Sequence, residues 1–208
     1  MFLRPSLVAM TLVVALVTTA CSTSWMPSMG SSPTAVPFDR QFIDMMVPHH
    51  EGAVEMARIA EQRSQRPEIR AMAADILRTQ ASEIERMKAW RKAWYGSDQT
   101  PPMSKMPMVD GMQMPSGGGH ARHGGGASSS QTMDMAADVA KLRTAPEPFD
   151  LAFIDAMIPH HQDAIEASKA AATRAQREEI KALAREIVES QQREVEALRQ
   201  WRQTWFPG

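Results

Sequence analysis

Apolar residues recur every three or four positions along two long stretches of this chain, the spacing that lines one face of an α-helix. In the first stretch Phe42, Met45 or Met46, His49, Ala53, Met56 and Ala60 share such a face. The pattern breaks at Ser64 to Arg66, and Pro67 follows, where its fixed φ and missing N–H suit the first turn of a new helix. Ile69, Met72 or Ala73, Ile76, Gln80, Ile84, Met87 and Trp94 then carry the stripe onward. The stretch predicts a helical hairpin over residues 38–95.

The second stretch repeats the first. Phe38 through Trp94 aligns without a gap with Phe149 through Trp205 at an offset of 111 residues, and about 26 of 57 paired positions are identical. Its second stripe runs Ile180, Leu183 or Ala184, Ile187, Gln191, Val195, Leu198 and Trp205. Two helices of about 25 residues leave an apolar face open to water, but two such hairpins can close on one another. The expected fold is all-α: an antiparallel four-helix bundle in which 38–95 and 149–206 pack as one unit, with 136–208 as the second hairpin region. Trp90, Trp94, Trp201 and Trp205 are expected to plug the bundle ends. Residues 96–135, dense in Pro, Gly, Ser and Met without apolar periodicity, are read as a long disordered linker.

The first residues follow another pattern. Arg4, an apolar run from Leu7 to Val17, and the small residues Thr18, Thr19 and Ala20 before Cys21 have the make-up of an export signal. The run is shorter than the roughly 20 apolar residues that span a bilayer. Cys21 is the only cysteine and stands where a bacterial lipoprotein carries its lipidated residue, although Thr18 occupies a position where Leu is commoner. Residues 1–21 are expected to be a signal peptide with a lipobox-like end, and 22–37 a flexible tether rich in Ser, Pro and Thr. The protein is then expected outside the cytoplasm, lipid-anchored to the bacterial cell membrane or envelope through Cys21.

Composition narrows the classes. The 208 residues carry a formal charge of −1, with 43% hydrophobic and 23% charged residues, which excludes a basic nucleic-acid binder, a polytopic membrane protein and a wholly disordered chain. One Cys makes no internal disulfide and no thiolate zinc pair. Thioether sulfur is over-supplied, with 17 Met against 6 Phe, and the 6 His fall in only two kinds of place.

Four of the histidines lie in Met46-Val47-Pro48-His49-His50 and Met157-Ile158-Pro159-His160-His161. A proline in mid-helix removes an i→i−4 hydrogen bond, at a cost of about 3 kcal/mol. It frees the carbonyls of Asp44 and Asp155 and can open the helix beside the paired imidazoles. Neighbouring helical residues point about 100° apart, so one ring of each pair can face the core and the other an adjoining groove. Met46 and Met157 precede the rings by three and four residues and share a surface with them. Counting about 1.5 Å per residue from the hairpin turn brings Gln80 and Glu83, and likewise Gln191 and Glu194, level with the rings. These residues interrupt apolar stripes and need partners, either the imidazoles or a metal held by them. Asp44 and Asp155 are candidates to orient a ring nitrogen, with a surface pair of Asp44 and Arg40 as the plainer alternative. For the histidines the plainer alternative is a structural one: buried rings bonded to Glu83, Gln80 or the freed carbonyls. Glu55 and Glu166 fit solvated faces.

The other two, His120 and His123, follow Met103, Met106, Met108, Met112 and Met114 in the linker, with Met133 and Met135 closing it. No core accounts for methionines in such a segment. Thioethers select Cu(I), imidazoles accept Cu(I) or Cu(II), and a flexible chain can wrap such an ion. Low-complexity composition without a ligand is the alternative.

At Phe42, Asp44, Met46, Pro48-His49-His50, Ala53, Glu55, Gln80, Glu83 and Trp90 the sequence resembles the DUF305 family. It does so again at Phe153, Asp155, Met157, Pro159-His160-His161, Ala164, Glu166, Gln191, Glu194 and Trp201, so that the resemblance covers about two-thirds of the chain. Its members are exported bacterial proteins of ferritin-like helical architecture with a paired-His motif in one or two copies. The resemblance implies a ferritin-like bundle and, because some members are associated with copper, copper binding. The expected protein is an exported, non-enzymatic copper binder serving sequestration, tolerance or transfer. Its expected ligands to Cu(I) or Cu(II) are His49, His50, His160, His161, Met46, Met157 and the linker Met and His residues, with iron the lesser candidate. The rival is a ferritin-like di-metal oxidoreductase built from the His pairs with Glu83 and Glu194. Against it, neither Pro-His-His segment has the carboxylate three residues before His that di-iron bundles carry. A structural interaction module that binds no metal is the third reading.

Overall fold

A computed structural model describes residues 36–101 and 135–207, and all regular structure among them is helical. Helices α1 (Phe38–Arg63) and α2 (Pro67–Tyr95) form one hairpin, α4 (Phe149–Arg174) and α5 (Glu178–Trp205) the other, and α3 (Met135–Arg143) precedes α4 in the chain. No described helix is long and apolar enough to cross a membrane. The signal segment, Cys21, residues 22–35 of the tether and residues 102–134 of the linker lie outside the described residues.

Local chemistry sets the helix ends. Pro67 opens α2 as its spacing predicts, and Gly96 closes it with φ 81°, returning its amide to the Lys92 carbonyl at 3.0 Å. Glycine takes that left-handed turn without a Cβ clash. Each hairpin then fastens the other. Asp39, in the first turn of α1, accepts hydrogen bonds from the amides of Gln176 and Arg177 at 2.9 and 3.0 Å, between α4 and α5. At the equivalent place in α4, Asp150 accepts from Ser64 Oγ at 2.6 Å and meets Arg66 at 3.4 Å, between α1 and α2. Arg177 lies 4.0 Å over the Trp94 ring and Arg66 4.1 Å over the Trp205 ring. The stacked pairs Trp90–Trp94 and Trp201–Trp205 stand at these ends of the bundle, partly buried.

The core falls into two apolar clusters. One gathers Met56, Ile69, Ile76, Phe149, Phe153 and Leu198; the other gathers Phe42, Ile43, Met87, Ala167, Ile180 and Leu183. The first half of α1 therefore packs with the second half of α4 and the reverse, which makes the two helices antiparallel. Burying large apolar side chains stabilises each cluster by about 1.5–3 kcal/mol per residue. Between them lies a polar layer: His49, His50, His160, His161, Gln80, Glu83 and Gln191 are all buried.

Helix α3 is an element that the apolar spacing does not announce. Leu142 is its one buried apolar side chain. Tertiary contacts hold it: Arg63 donates to the carbonyls of Leu142, Arg143 and Ala145 at 3.2, 3.2 and 2.8 Å. Glu55, expected on a solvated face, ties α1 to α3 through Arg143 at 2.5 Å.

Candidate metal centre

Helices α1 and α4 bring His49 and His160 together at the middle of the bundle, ring centroids 3.9 Å apart and planes tilted by 42°. Within each pair the rings diverge, with centroids 6.2 Å apart for His49 and His50 and 6.1 Å for His160 and His161. The divergence follows from the roughly 100° step between adjacent helical residues. His49 and His160 turn to the opposite hairpin, while His50 and His161 turn to the second helix of their own. The His50 ring N–H donates from Nε2 to Glu83 Oε2 at 2.8 Å. His161 Nε2 lies 2.6 Å from Glu194 Oε2, off hydrogen-bond alignment. All four rings are buried, so the expected division into a core-facing ring and a groove-facing ring is corrected. At this level the first helix of each hairpin is covered on both faces, by its own partner helix and by the other hairpin.

Unpaired polar atoms mark the layer as unusual. Neither ring nitrogen of His49 or of His160 has a hydrogen-bond partner. The amide nitrogen and oxygen of Gln80 and the amide oxygen of Gln191 also lack one, so the two glutamines reach the predicted depth without bonding to the rings. A buried polar atom left in that state costs on the order of 1–3 kcal/mol. Burial holds His49 well below the ordinary histidine range, and positive charge on His50 and His161 would push it further. His160 is lowered in the same way, by burial first and then by His49, His161 and His50. A pull from the backbone of the opposite histidine works against both shifts without reaching hydrogen-bond geometry. The rings are thus neutral, with lone pairs free for a metal. Among the described residues no three or more His, Cys, Asp and Glu side chains form a ready-made cage. The centre is a stacked pair of imidazoles with four unpaired nitrogens.

The other sequence candidates divide. Met46 and Met157 are fully buried, one in each of the two apolar clusters that flank the rings. Asp44 and Asp155 do not orient ring nitrogens. Asp44 is buried and accepts from Arg91 at 2.5 and 3.4 Å, with Arg40 at 3.4 Å; Asp155 accepts from Arg202 at 2.6 Å. Five helical steps turn Asp44 about 140° from His49, toward a different neighbour. Met103, Met106, Met108, Met112, Met114, His120 and His123 lie outside the described residues.

Two residues absent from the sequence candidates stand beside the centre. A Cβ built on Gly52 would lie 2.6 Å from Met135 Cε and 3.6 Å from His160 Nε2. The signal available for this was the mismatch of Gly52 with its repeat counterpart Asp163, since glycine inside a helix costs roughly 0.5–1 kcal/mol against alanine. Asp163 is buried, and burial pushes its carboxyl up to about 6.

The profile of the family described as "Domain of unknown function (DUF305)" matches residues 39–202, a span that holds both Pro-His-His segments and their glutamine and glutamate partners. The chain belongs to the DUF305 family. Its fold is similar to that of CopM in the Cu(I)-bound form, with 31% identity, a TM-score of 0.62, and 81% of this chain and 97% of that one covered. CopM in the Cu(II)-bound form matches over the same shares with 34% identity and a TM-score of 0.62. A DUF305 protein from Streptomyces coelicolor, described as a candidate secreted protein, matches with 30% identity and a TM-score of 0.59 over 78% of this chain and 90% of its own. Among curated proteins, uncharacterized protein L153 of Acanthamoeba polyphaga mimivirus is 35% identical over 51 residues, 24% of this chain and 34% of that one. The DUF305 chain thus spans about a third of the length of that relative.

Proposed function

We propose that this DUF305 protein binds copper outside the cytoplasm and holds or hands on the ion without turnover. The observation that carries the reading is the stack of His49 and His160, 3.9 Å apart, with four buried nitrogens and no partner for any of them. A cation that accepts those lone pairs offsets the cost of burying them. Imidazole suits copper in both oxidation states, and thioethers such as Met46 and Met157 on the same helices suit Cu(I). His50, held by Glu83, and His161, beside Glu194, flank the stack and keep the layer polar. The Cu(I)- and Cu(II)-bound forms of CopM support copper as the ion. The linker Met and His residues would add soft ligands, and the segment before Cys21 would supply export and a lipid anchor. The description of the Streptomyces relative supports the extracytoplasmic site of action.

Titration of the mature protein with Cu(I), Cu(II) and Fe(II) tests the reading. Copper stoichiometry is expected to fall both in a His49→Ala/His160→Ala variant and on deletion of residues 102–134. Unchanged stoichiometry in the histidine variant removes the bundle centre. A parent protein without affinity for either copper ion ends the reading, and O₂ consumption with Fe(II) would favour the di-metal oxidoreductase.

A further inference from the structure

We propose that Met135, carried over Gly52 by α3, is a thioether ligand of the histidine centre and makes that centre prefer a soft monovalent cation, Cu(I) or Ag(I). The inference rests on the copper reading above and adds a ligand and a selectivity to it.

Met135 Cε and His160 Nε2 converge on one point above Gly52, at 2.6 and 3.6 Å from it. Gly52 is buried in mid-helix, three residues after His49, where alanine would stabilise the helix by about 0.8–1.0 kcal/mol. What glycine provides there is room, and the side chain that uses the room is Met135. The notch is one-sided. Its counterpart in the second hairpin is the buried Asp163, and among the described residues only the first hairpin has a helix laid across it.

The placement of Met135 is built rather than incidental. Three carbonyls at the far end of α3 are gripped by Arg63, Arg143 pairs with Glu55, and Leu142 is buried in the core. From that anchored end the helix reaches back about 12 Å to its first residue, Met135. His160, at 6% exposure the least buried of the four rings, is the one Met135 approaches, and its Nε2 has no partner. Two neutral imidazoles alone distinguish poorly between copper oxidation states. A neutral, polarisable sulfur beside them favours the softer ion and does little for Cu(II). The competing explanation is that Met135 merely fills space, as flexible methionines do in cores.

Full-length protein labelled with ¹³C at the methionine methyls separates the two, with Ag(I) as a redox-inert probe and Met135→Leu to assign the resonance. The Met135 methyl is expected to shift with the first equivalent of Ag(I), together with the His49 and His160 ring signals. Met135→Leu is expected to weaken Cu(I) binding by about tenfold or more and to change Cu(II) binding by less than about twofold, on the scale of supporting groups at metal sites. Gly52→Ala should reproduce this, because its Cβ would strike only the mobile end of Met135 and would meet His160 at ordinary contact distance. Ring signals that move while the Met135 methyl stays fixed overturn the inference and leave the histidine centre standing, as does unchanged Cu(I) affinity in Met135→Leu. Ring signals that ignore Ag(I) overturn both.

Discussion

Asp44 and Asp155 stand 111 residues apart in the repeat and hold the equivalent arginines Arg91 and Arg202, yet the two pairs live in different surroundings. The Asp44 pair is buried, its side chains 10% and 4% exposed, whereas the Asp155 pair is 46% and 45% exposed. Removing one partner of a buried pair strands the other charge, so Asp44→Ala is expected to cost about 3–5 kcal/mol in urea denaturation. Asp155→Ala should barely move the midpoint, because water screens and replaces the lost contact. Equal effects would mean that burial does not set the value of these pairs. Sequence spacing made Asp44 a candidate partner of the rings because it stands one turn before them. What it could not show is which neighbour covers the face 140° away, and that neighbour is Arg91. Glu83 was legible because counting along two antiparallel helices from a short turn is a local operation.

Among the elements, the reciprocal clamps decide how two hairpins become one bundle. A hairpin pairs its own helices through a three-residue turn, but nothing in its stripe says where along the other hairpin it must stop. Asp39 supplies that stop by accepting both amides that lead into α5. Asp39→Ala is expected to destabilise the fold by about 1–3 kcal/mol, the range for a hydrogen-bonded carboxylate whose donors are left buried. The check is a lower urea midpoint at unchanged slope, which reports lost stability without a change in the surface exposed on unfolding. No shift in the midpoint would show that the apolar clusters alone set the register. The long helices were visible in the sequence because each carries several turns of periodic spacing. Helix α3 was not, since one buried leucine sets no period and its carbonyl clamp comes from Arg63 on another helix.

For the molecule as a whole, the polar layer sets the response to acid. His49 and His160 are lowered from 6.5 by burial, so below about that pH the unfolded chain binds protons that the folded chain refuses. Stability of the metal-free protein is therefore complete above about pH 6.5 and falls as the pH drops toward the folded-state values. Asp163 works the other way. Its carboxyl, raised from 3.8 to about 6, takes up a proton in the folded state first, which stabilises the fold as the pH falls through that window. Two histidines outweigh one aspartate, so the melting temperature should decline from pH 7.5 to 4.5. Asp163→Asn should be more stable than the parent at pH 7.5 and should decline more steeply. A flat profile in the parent would contradict neutral buried rings.

Periodic spacing and the internal repeat determined four long helices, their pairing into two hairpins, and the depth at which the Pro-His-His segments sit. Those features depend on residues a few positions apart, or on counting along a straight helix, and both are written in the order of the chain. Only the tertiary structure decided that His49 meets His160 across the bundle, that Asp44 answers to Arg91, and that Met135 comes to rest over Gly52. Each of these depends on which faces of separate helices cover one another, a long-range choice made by packing and by clamps such as Asp39 and Arg63, which spacing along any single helix does not contain.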